Sequence, residues 1–163
     1  MYSSFGSDEY IQEVVTTHSK TLLRAAYSVV GSTHDAEEIV QETFIKLLDR
    51  DQPFNDGEHE RAWLIRVTVN LAKNRKQSAW NRHSAPLEEW IPAHDEDFCE
   101  SYALRQVMEK LQPNYRAVLH LYYYEGYKVG EISSMLDIPL ATVSSRLARG
   151  REKLRTAMEG GQG

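Results

Sequence analysis

The sequence predicts an all-helical protein built from two small helical domains that an acidic, flexible linker joins. Leucine, alanine, glutamate and arginine are plentiful among its 163 residues, whereas glycine and proline number only nine and five. Apolar residues recur at the spacing of amphipathic helices, and no alternating β-branched run has the length of a strand. Two prolines and a run of acids interrupt the helical pattern at residues 83–98. We therefore expect domains at residues 1–82 and 99–163, with residues 83–98 as the linker.

The first two predicted helices cover residues 8–30 and 33–50. Ser7 is the expected N-cap of the first helix, and Gly31 is its expected stop. In the second helix, Leu47 and Leu48 are expected to end the buried stripe, and acceptor-rich side chains share the opposite face. These side chains are Asp35, Glu38, Gln41 and Glu42. Such a face suits a basic partner protein, and a solvated acidic helix face is the alternative.

A third helix is predicted at residues 61–82, which contain six Lys/Arg and no Asp or Glu in a chain of net charge −5. Its apolar residues form a wide buried face with a basic rim, and Asp56 is expected to cap it. Cations bind phosphates, aromatic rings stack on unpaired bases and amides bond base edges, so this helix suits a nucleic-acid strand. The residues concerned are Arg61, Trp63, Arg66, Asn70, Lys73, Asn74, Arg75 and Lys76. A helix with a solvated basic side is the alternative.

The C-terminal part of the sequence predicts a helix at residues 99–111, a second from Pro113 to a stop at Gly126, and then a helix-turn-helix. The turn contains Asp137, a residue type that tolerates positive φ, and Pro139. The second helix of such a motif enters the major groove, where arginine bonds guanine and hydroxyl groups bond phosphates. Its expected exposed residues are Thr142, Ser144, Ser145, Arg146, Arg149 and Arg151. A plain helical hairpin with a basic end is the alternative.

The composition of the sequence and the motifs that it lacks narrow the possible functions. Cys99 is the only cysteine, which excludes an internal disulfide and a cysteine metal site. The six histidines are scattered, and no HExxH motif, Gly-rich phosphate loop or Gly-x-Ser-x-Gly occurs. We therefore expect no enzyme, no metal and no cofactor. No apolar run is long enough to cross a membrane and no signal peptide opens the sequence, so the cytoplasm is the expected compartment.

Together these motifs resemble the sigma factors of bacterial RNA polymerase, in the small two-domain extracytoplasmic-function class. Residues 35–44 are similar to the polymerase-binding helix of sigma region 2. Its promoter-melting helix is matched by Trp63, Leu64, Arg66, Asn70, Asn74 and Arg75. Residues 107–158 resemble sigma region 4. In that region Lys128 stands where a Ser or Thr cap is common, which predicts a late start for the first helix of the helix-turn-helix.

The resemblance implies partners as well as a function. The acidic face of the second helix would dock on the clamp helices of the largest subunit of core RNA polymerase. Residues 61–82 would engage the −10 element of promoter DNA and hold the non-template strand, and residues 140–156 would read the −35 element as duplex. The protein would direct promoter-specific transcription initiation, and an anti-sigma factor is a further partner of many relatives. The alternative is a stand-alone helix-turn-helix regulator, which would bind duplex DNA without polymerase.

Overall fold

The computed structural model describes residues 4–82 and 110–160, and within them every regular element is a helix. The N-terminal bundle comprises α1 (Asp8–Val30), α2 (Thr33–Asp49) and α3 (Gly57–Arg82). The C-terminal bundle comprises α4 (Pro113–Leu119), α5 (Val129–Leu136) and α6 (Leu140–Gly160). The predicted linker, and residues 99–109 of the helix predicted at 99–111, lie outside the described residues. This architecture confirms the predicted all-helical fold.

The ends of the N-terminal helices follow from side chains that bond free backbone groups. Ser7 accepts a hydrogen bond from the amide of Tyr10 at 3.1 Å, and α1 ends at Gly31, which has a φ of 72°. Both ends were predicted. Helix α3 begins at Gly57, earlier than the predicted residue 61, and Asp56 accepts from the amide of His59 at 2.7 Å. The acidic first turn of α3 therefore precedes its basic part.

The core of the N-terminal bundle is apolar and is crossed by two polar contacts between helices. Side chains that are completely buried come from all three helices and include Val14, Leu22, Ile39, Leu64 and Val69. The hydroxyl groups of Thr43 and Thr68 bond each other at 2.9 Å where α2 packs on α3. The buried Glu60 carboxylate accepts from Tyr10 at 2.7 Å and lies 3.1 Å from Nε2 of His18. These bonds satisfy the buried polar groups and fix the packing of the helices.

The C-terminal bundle contains the predicted helix-turn-helix. The segment that precedes this motif differs from the single α-helix that the sequence predicts. The helix expected to run from Pro113 to Gly126 is α-helical only to Leu119 and continues as a wider π-helical turn over His120–Tyr124. Helix α5 begins directly after Lys128, whose amide donates to Glu131 at 2.8 Å, so the predicted late start is wrong. The turn between α5 and α6 is made by Asp137 with a φ of 55°, as expected.

The two bundles contact each other through α1 and α3 on one side and through α4, the π-helical turn and α5 on the other. Arg116 of α4 is completely buried in this contact. Its Nη1 donates to the carbonyl oxygen of Val29 at 2.8 Å, and its Nε donates to that of Leu111 at 2.9 Å. A guanidinium is well suited to the C-terminal end of α1, where carbonyl groups lack helical partners.

Candidate nucleic-acid interface

The sequence-predicted strand-binding residues of α3 have unequal access to solvent. Arg66 and Asn74 are exposed. The rings of Trp63 and Phe54 pack against each other with their centroids 5.5 Å apart. The guanidinium of Arg50 lies 5.3 Å from the centroid of the Trp63 ring. The Trp63 indole therefore already has an aromatic and a cationic neighbour, and a base would have to share or replace them to stack on it.

Three other α3 residues lie in the contact between the bundles. Nη2 of Arg61 is 2.7 Å from Oε1 of Glu125, and Nη1 of Arg61 donates to the hydroxyl of Tyr127 at 2.9 Å. The side-chain amide of Asn70 is 3.5 Å from the carbonyl oxygen of Met135. Burial, followed by the positive charge of Arg146, lowers the pKa of Lys73. Part of the predicted strand-binding surface is thus covered by the C-terminal bundle in this conformation.

Glu125 is the centre of the polar contact between the bundles. Its side chain is only 3% exposed, and Oε2 lies 2.9 Å from Nε2 of His120. Burial alone would raise the pKa of this carboxyl. The hydrogen bond and charge of His120, together with the charges of Arg61 and Arg24, outweigh burial and hold the pKa of Glu125 below its ordinary value. The ionised carboxylate is therefore the form that joins the bundles.

The acidic face predicted on α2 is present, and the structure adds a basic residue to it. Arg75 of α3 lies between Asp35, Glu38 and Glu42, while Gln41 is exposed beside them. Lys76, the neighbour of Arg75, is 8% exposed. Arg75 and Lys76, which the sequence predicts to bind a nucleic-acid strand, therefore contact or are buried in the N-terminal bundle. We refer to Asp35, Glu38 and Glu42 as the acidic ridge.

Two apolar side chains next to the acidic ridge were not predicted to be exposed. Ile45 is 57% exposed and Leu48 is 61% exposed on α2. The expectation that Leu48 belongs to the buried stripe is wrong, because α1 and α3 cover Leu47 and Ile39 but leave this side of α2 uncovered. The helical spacing of Gln41, Ile45 and Leu48 was the available signal. Exposed aliphatic groups beside carboxylates are typical of a protein-binding surface.

The predicted groove-reading residues flank the buried stripe of α6 on both sides. One flank carries Thr142, Ser145, Arg146 and Arg149, and the other carries Ser144 and Arg151. Ser144, Ser145, Arg149 and Arg151 are exposed, and Thr142 and Arg146 are partly buried. A cleft of about 370 Å³ separates the start of α4 from α6. It is lined by Asn114, Tyr115, Thr142, Ser145, Arg146 and Arg149. Arg146 and Arg149 thus bring two guanidinium groups to the cleft, and Nη1 of Arg146, which is buried, makes no hydrogen bond. An anionic oxygen, such as that of a phosphate, is the complementary ligand.

Within 4–82 and 110–160, no group of three or more His, Cys, Asp or Glu is arranged to hold a metal ion. No helix in the described part of the chain combines the length and the apolar character needed to cross a membrane. The arrangement that remains is two cationic helices, α3 and α6, and one acidic ridge on α2.

Two family models match the chain in succession. Residues 14–82 match the model of sigma-70 region 2, and residues 101–154 match that of sigma-70 region 4. The first match covers most of α1 and all of α2 and α3, and the second includes α4, α5 and most of α6. The order of the two matches is the order of the two bundles along the chain.

Curated relatives and solved structures give the same result. The chain is 34% identical to the ECF RNA polymerase sigma factor SigE of Mycolicibacterium smegmatis, over 88% of this chain and 59% of SigE. It is 26% identical to SigW of Bacillus subtilis, another ECF sigma factor, over 92% of this chain and 89% of SigW. The fold is similar to that of Bartonella quintana RpoE in complex with the anti-sigma factor NepR. There the TM-score is 0.72 at 17% identity, covering 94% of this chain and 98% of RpoE. CnrH in complex with the cytosolic domain of CnrY gives a TM-score of 0.62 at 25% identity, covering 95% and 91%.

Proposed function

The chain belongs to the sigma-70 family, in its extracytoplasmic-function class, and from this premise we propose that it directs core RNA polymerase to promoters. The observation that carries the proposal is that one chain combines the acidic ridge with two separate cationic helices. A stand-alone helix-turn-helix regulator would use α6 and leave the ridge and α3 without a function. Sigma factors are regulatory proteins, so the chain is assigned no reaction of its own, and its place of action is the cytoplasm, with the polymerase.

Docking on the polymerase is assigned to α2. The acidic ridge and Gln41 supply charge and hydrogen-bond acceptors, and Ile45 and Leu48 add apolar surface. A mixed surface of this kind suits the clamp helices of the largest polymerase subunit if these present basic and apolar groups. The carboxylates would set the orientation, and the aliphatic side chains would contribute the burial that slows dissociation.

Reading of the −35 duplex is assigned to α6 and the cleft beside it. Ser144, Ser145, Arg149 and Arg151 are exposed along the helix, and Arg146, which is partly buried, lines the cleft. If Arg146 bonds a guanine, replacing it with alanine should cost about 1–3 kcal/mol at one promoter position. A uniform loss over all sequences would instead identify the bound group as a backbone phosphate, which the cleft also accommodates.

Engagement of the −10 element is assigned to α3, with Arg66 and Asn74 as the residues already exposed. Arg61, Asn70 and Lys73 become available only after the C-terminal bundle moves away from α3. We therefore include separation of the bundles as a step between the free protein and the promoter complex. The proposed boundaries remain residues 1–82, 83–98 and 99–163, with the linker allowing α3 and α6 to reach separate promoter elements.

Anti-sigma control is a further part of the proposal. RpoE and CnrH, whose folds are similar, are bound to NepR and to CnrY in the solved structures. An anti-sigma protein that binds this chain would compete with polymerase by covering the acidic ridge and its apolar neighbours. Such competition is measured by adding the protein to a preformed complex with core polymerase.

The test is co-purification with bacterial core RNA polymerase, followed by run-off transcription from a genomic fragment library. The expected result is a stable complex that initiates at discrete start sites, whose alignment reveals two promoter elements. Glu38→Lys with Glu42→Lys should abolish core binding. Glu58→Lys with Glu152→Lys is the matched control, because both residues are exposed, neither lies on α2 and the change in charge is the same. Duplex binding without any affinity for core would contradict the proposal.

A further inference from the structure

We propose that Arg75 is a positioning residue of the polymerase-docking surface, where its guanidinium orders the three carboxylates of the acidic ridge. The sequence places Arg75 among the strand-binding cations of α3, but its neighbours in the structure are acids of α2. The inference rests on the proposed function, because it concerns how the ridge binds core polymerase. It assigns Arg75 to protein binding rather than to promoter DNA.

The geometry is that of one cation shared by three anions. Nη1 of Arg75 lies 3.2 Å from Oε1 of Glu38 and 3.7 Å from Oδ1 of Asp35, and Nη2 lies 2.9 Å from Oε1 of Glu42. The Asp35 side chain is 42% exposed and those of Glu38 and Glu42 are each 44% exposed, against 32% for Arg75. Arg75 thus contacts the carboxylates from the side of α3, and the solvent-exposed side of the carboxylates remains open to a partner.

The spacing along α2 explains why such a cation is needed. Residues separated by three or four positions are neighbours on a helix, so Asp35, Glu38 and Glu42 form a row of like charges that repel one another. Flexible glutamates in such a row would turn apart into solvent. A planar guanidinium bonds two carboxylates at once in a fixed orientation, which the point charge of lysine does not do. Arg75 therefore both neutralises part of the repulsion and selects one arrangement.

Net charge and side-chain order predict opposite changes in affinity for core polymerase when Arg75 is removed. The positioning role can therefore be distinguished from a purely electrostatic role. Removing Arg75 makes the ridge more negative, so charge alone predicts tighter binding to a basic partner. Order predicts weaker binding, because Glu38 and Glu42 would have to be immobilised during association rather than before it. The sign of the change in affinity therefore decides between masking and positioning.

The experiment measures the Kd for purified core polymerase, without DNA, for the wild type, Arg75→Ala and Arg75→Lys. We expect the alanine variant to bind about tenfold more weakly, which corresponds to ordering one or two side chains on binding. Arg75→Lys keeps the positive charge but loses the planar guanidinium that bonds two carboxylates at once, so it should give an intermediate Kd. Lys20→Ala is the control: it removes the same charge from an exposed position on α1 and should stay within about twofold.

Transcription at saturating protein supplies the second readout. If Arg75 acts in docking, run-off yield from Arg75→Ala should return to the wild-type level once core is saturated. A yield that stays low at saturation would mean that Arg75 acts after docking, as a DNA contact, and would overturn the inference. Equal or tighter core binding by Arg75→Ala would also overturn it. Thermal unfolding of both Arg75 variants checks that the bundle is intact, and Arg75→Lys provides the comparison if the alanine variant is unstable.

Failure of this inference can be distinguished from failure of the proposed function. A wild-type chain that does not bind core overturns both. If the wild type binds, and Glu38→Gln with Glu42→Gln weakens binding while Arg75→Ala does not, the docking assignment stands and only the role of Arg75 is wrong. If all three substitutions weaken binding and saturation restores transcription, the ridge acts as a unit with Arg75 at its base.

Discussion

Helix α3 takes part in two contacts of different chemistry. Towards α1 and α2 it buries apolar side chains, and Leu64, Ile65 and Val69 are completely excluded from solvent. Towards the C-terminal bundle it presents Arg61 and Asn70, which bond Glu125 and the carbonyl oxygen of Met135. The first contact is apolar, whereas the second adds ion-paired and hydrogen-bonded groups to a buried apolar core that both bundles share.

The difference indicates which contact can open without unfolding. Separating α3 from α1 would expose apolar surface at about 25 cal/mol per Å², with nothing gained in return. Separating the bundles would return Arg61 and Glu125 to water, where their hydrogen bonds are largely replaced. Arg61 is already 38% exposed in the closed arrangement. The polar contact is therefore the one suited to reversible opening, and the following predictions test this contrast.

The largest expected effect is in the apolar core. Replacing the completely buried Leu22 with alanine should lower the free energy of unfolding by about 2–5 kcal/mol, through lost burial and the cavity that remains. Urea denaturation followed by circular dichroism measures it. Leu48→Ala is the control, because its side chain is 61% exposed and its loss should change stability by about 0.5 kcal/mol or less. Similar losses at both positions would contradict the contrast.

A smaller effect is expected for Arg116, which is buried but polar. Arg116→Met should cost about 1–3 kcal/mol, because the carbonyl oxygens of Val29 and Leu111 lose a buried donor. The N-terminal bundle should keep its own stability while the bundles separate, which small-angle scattering would report as a larger radius of gyration. If the whole chain instead unfolds in one step at a much lower urea concentration, the contact between the bundles is part of the core.

Replacing Glu125 should open the contact with less change in stability. Glu125→Gln keeps the shape but removes the charge that Arg61 and His120 bond, at a cost of about 1 kcal/mol. We expect faster formation of the promoter complex, because α3 is uncovered more often. Glu152→Gln is the control, since it alters an exposed ion pair with Arg155 that contributes little. Unchanged rates in Glu125→Gln would show that separation of the bundles does not limit promoter binding.

The weakest effect concerns pH. Because the folded-state pKa of Glu125 lies below its ordinary value of 4.5, its contribution to the closed arrangement is complete above that pH. The contribution is lost as pH falls through the lowered pKa. Scattering measured from pH 7 downwards should therefore show the wild type approaching the dimensions of Glu125→Gln only in acid. A transition near neutral pH would assign the closure to a different group.

The sequence was sufficient for the presence of the described helices and for the caps at Ser7, Gly31 and Asp56. It was not sufficient for the start of α3, for the π-helical turn or for the partners of polar side chains. Apolar periodicity and residues such as Ser7 and Gly31 report properties of one helix at a time. Whether a basic side chain faces solvent, another helix or another bundle depends on what packs there, and the pattern around Arg61 or Arg75 is the same in each case. Leu48 was misassigned for the same reason, because an aliphatic residue beside a buried stripe is exposed when no helix covers it.

The π-helical turn at His120–Tyr124 determines where Glu125 lies relative to Arg61. Such turns accommodate one additional residue within an α-helix, and each residue of an α-helix turns the chain by about 100°. Deleting one residue here would restore α-helical geometry and swing Glu125 away from Arg61, while the helix-turn-helix that follows could keep its own fold. The extra residue of this turn therefore sets the angle at which Glu125 meets Arg61, so the closed arrangement depends on the length of this segment as well as on its side chains.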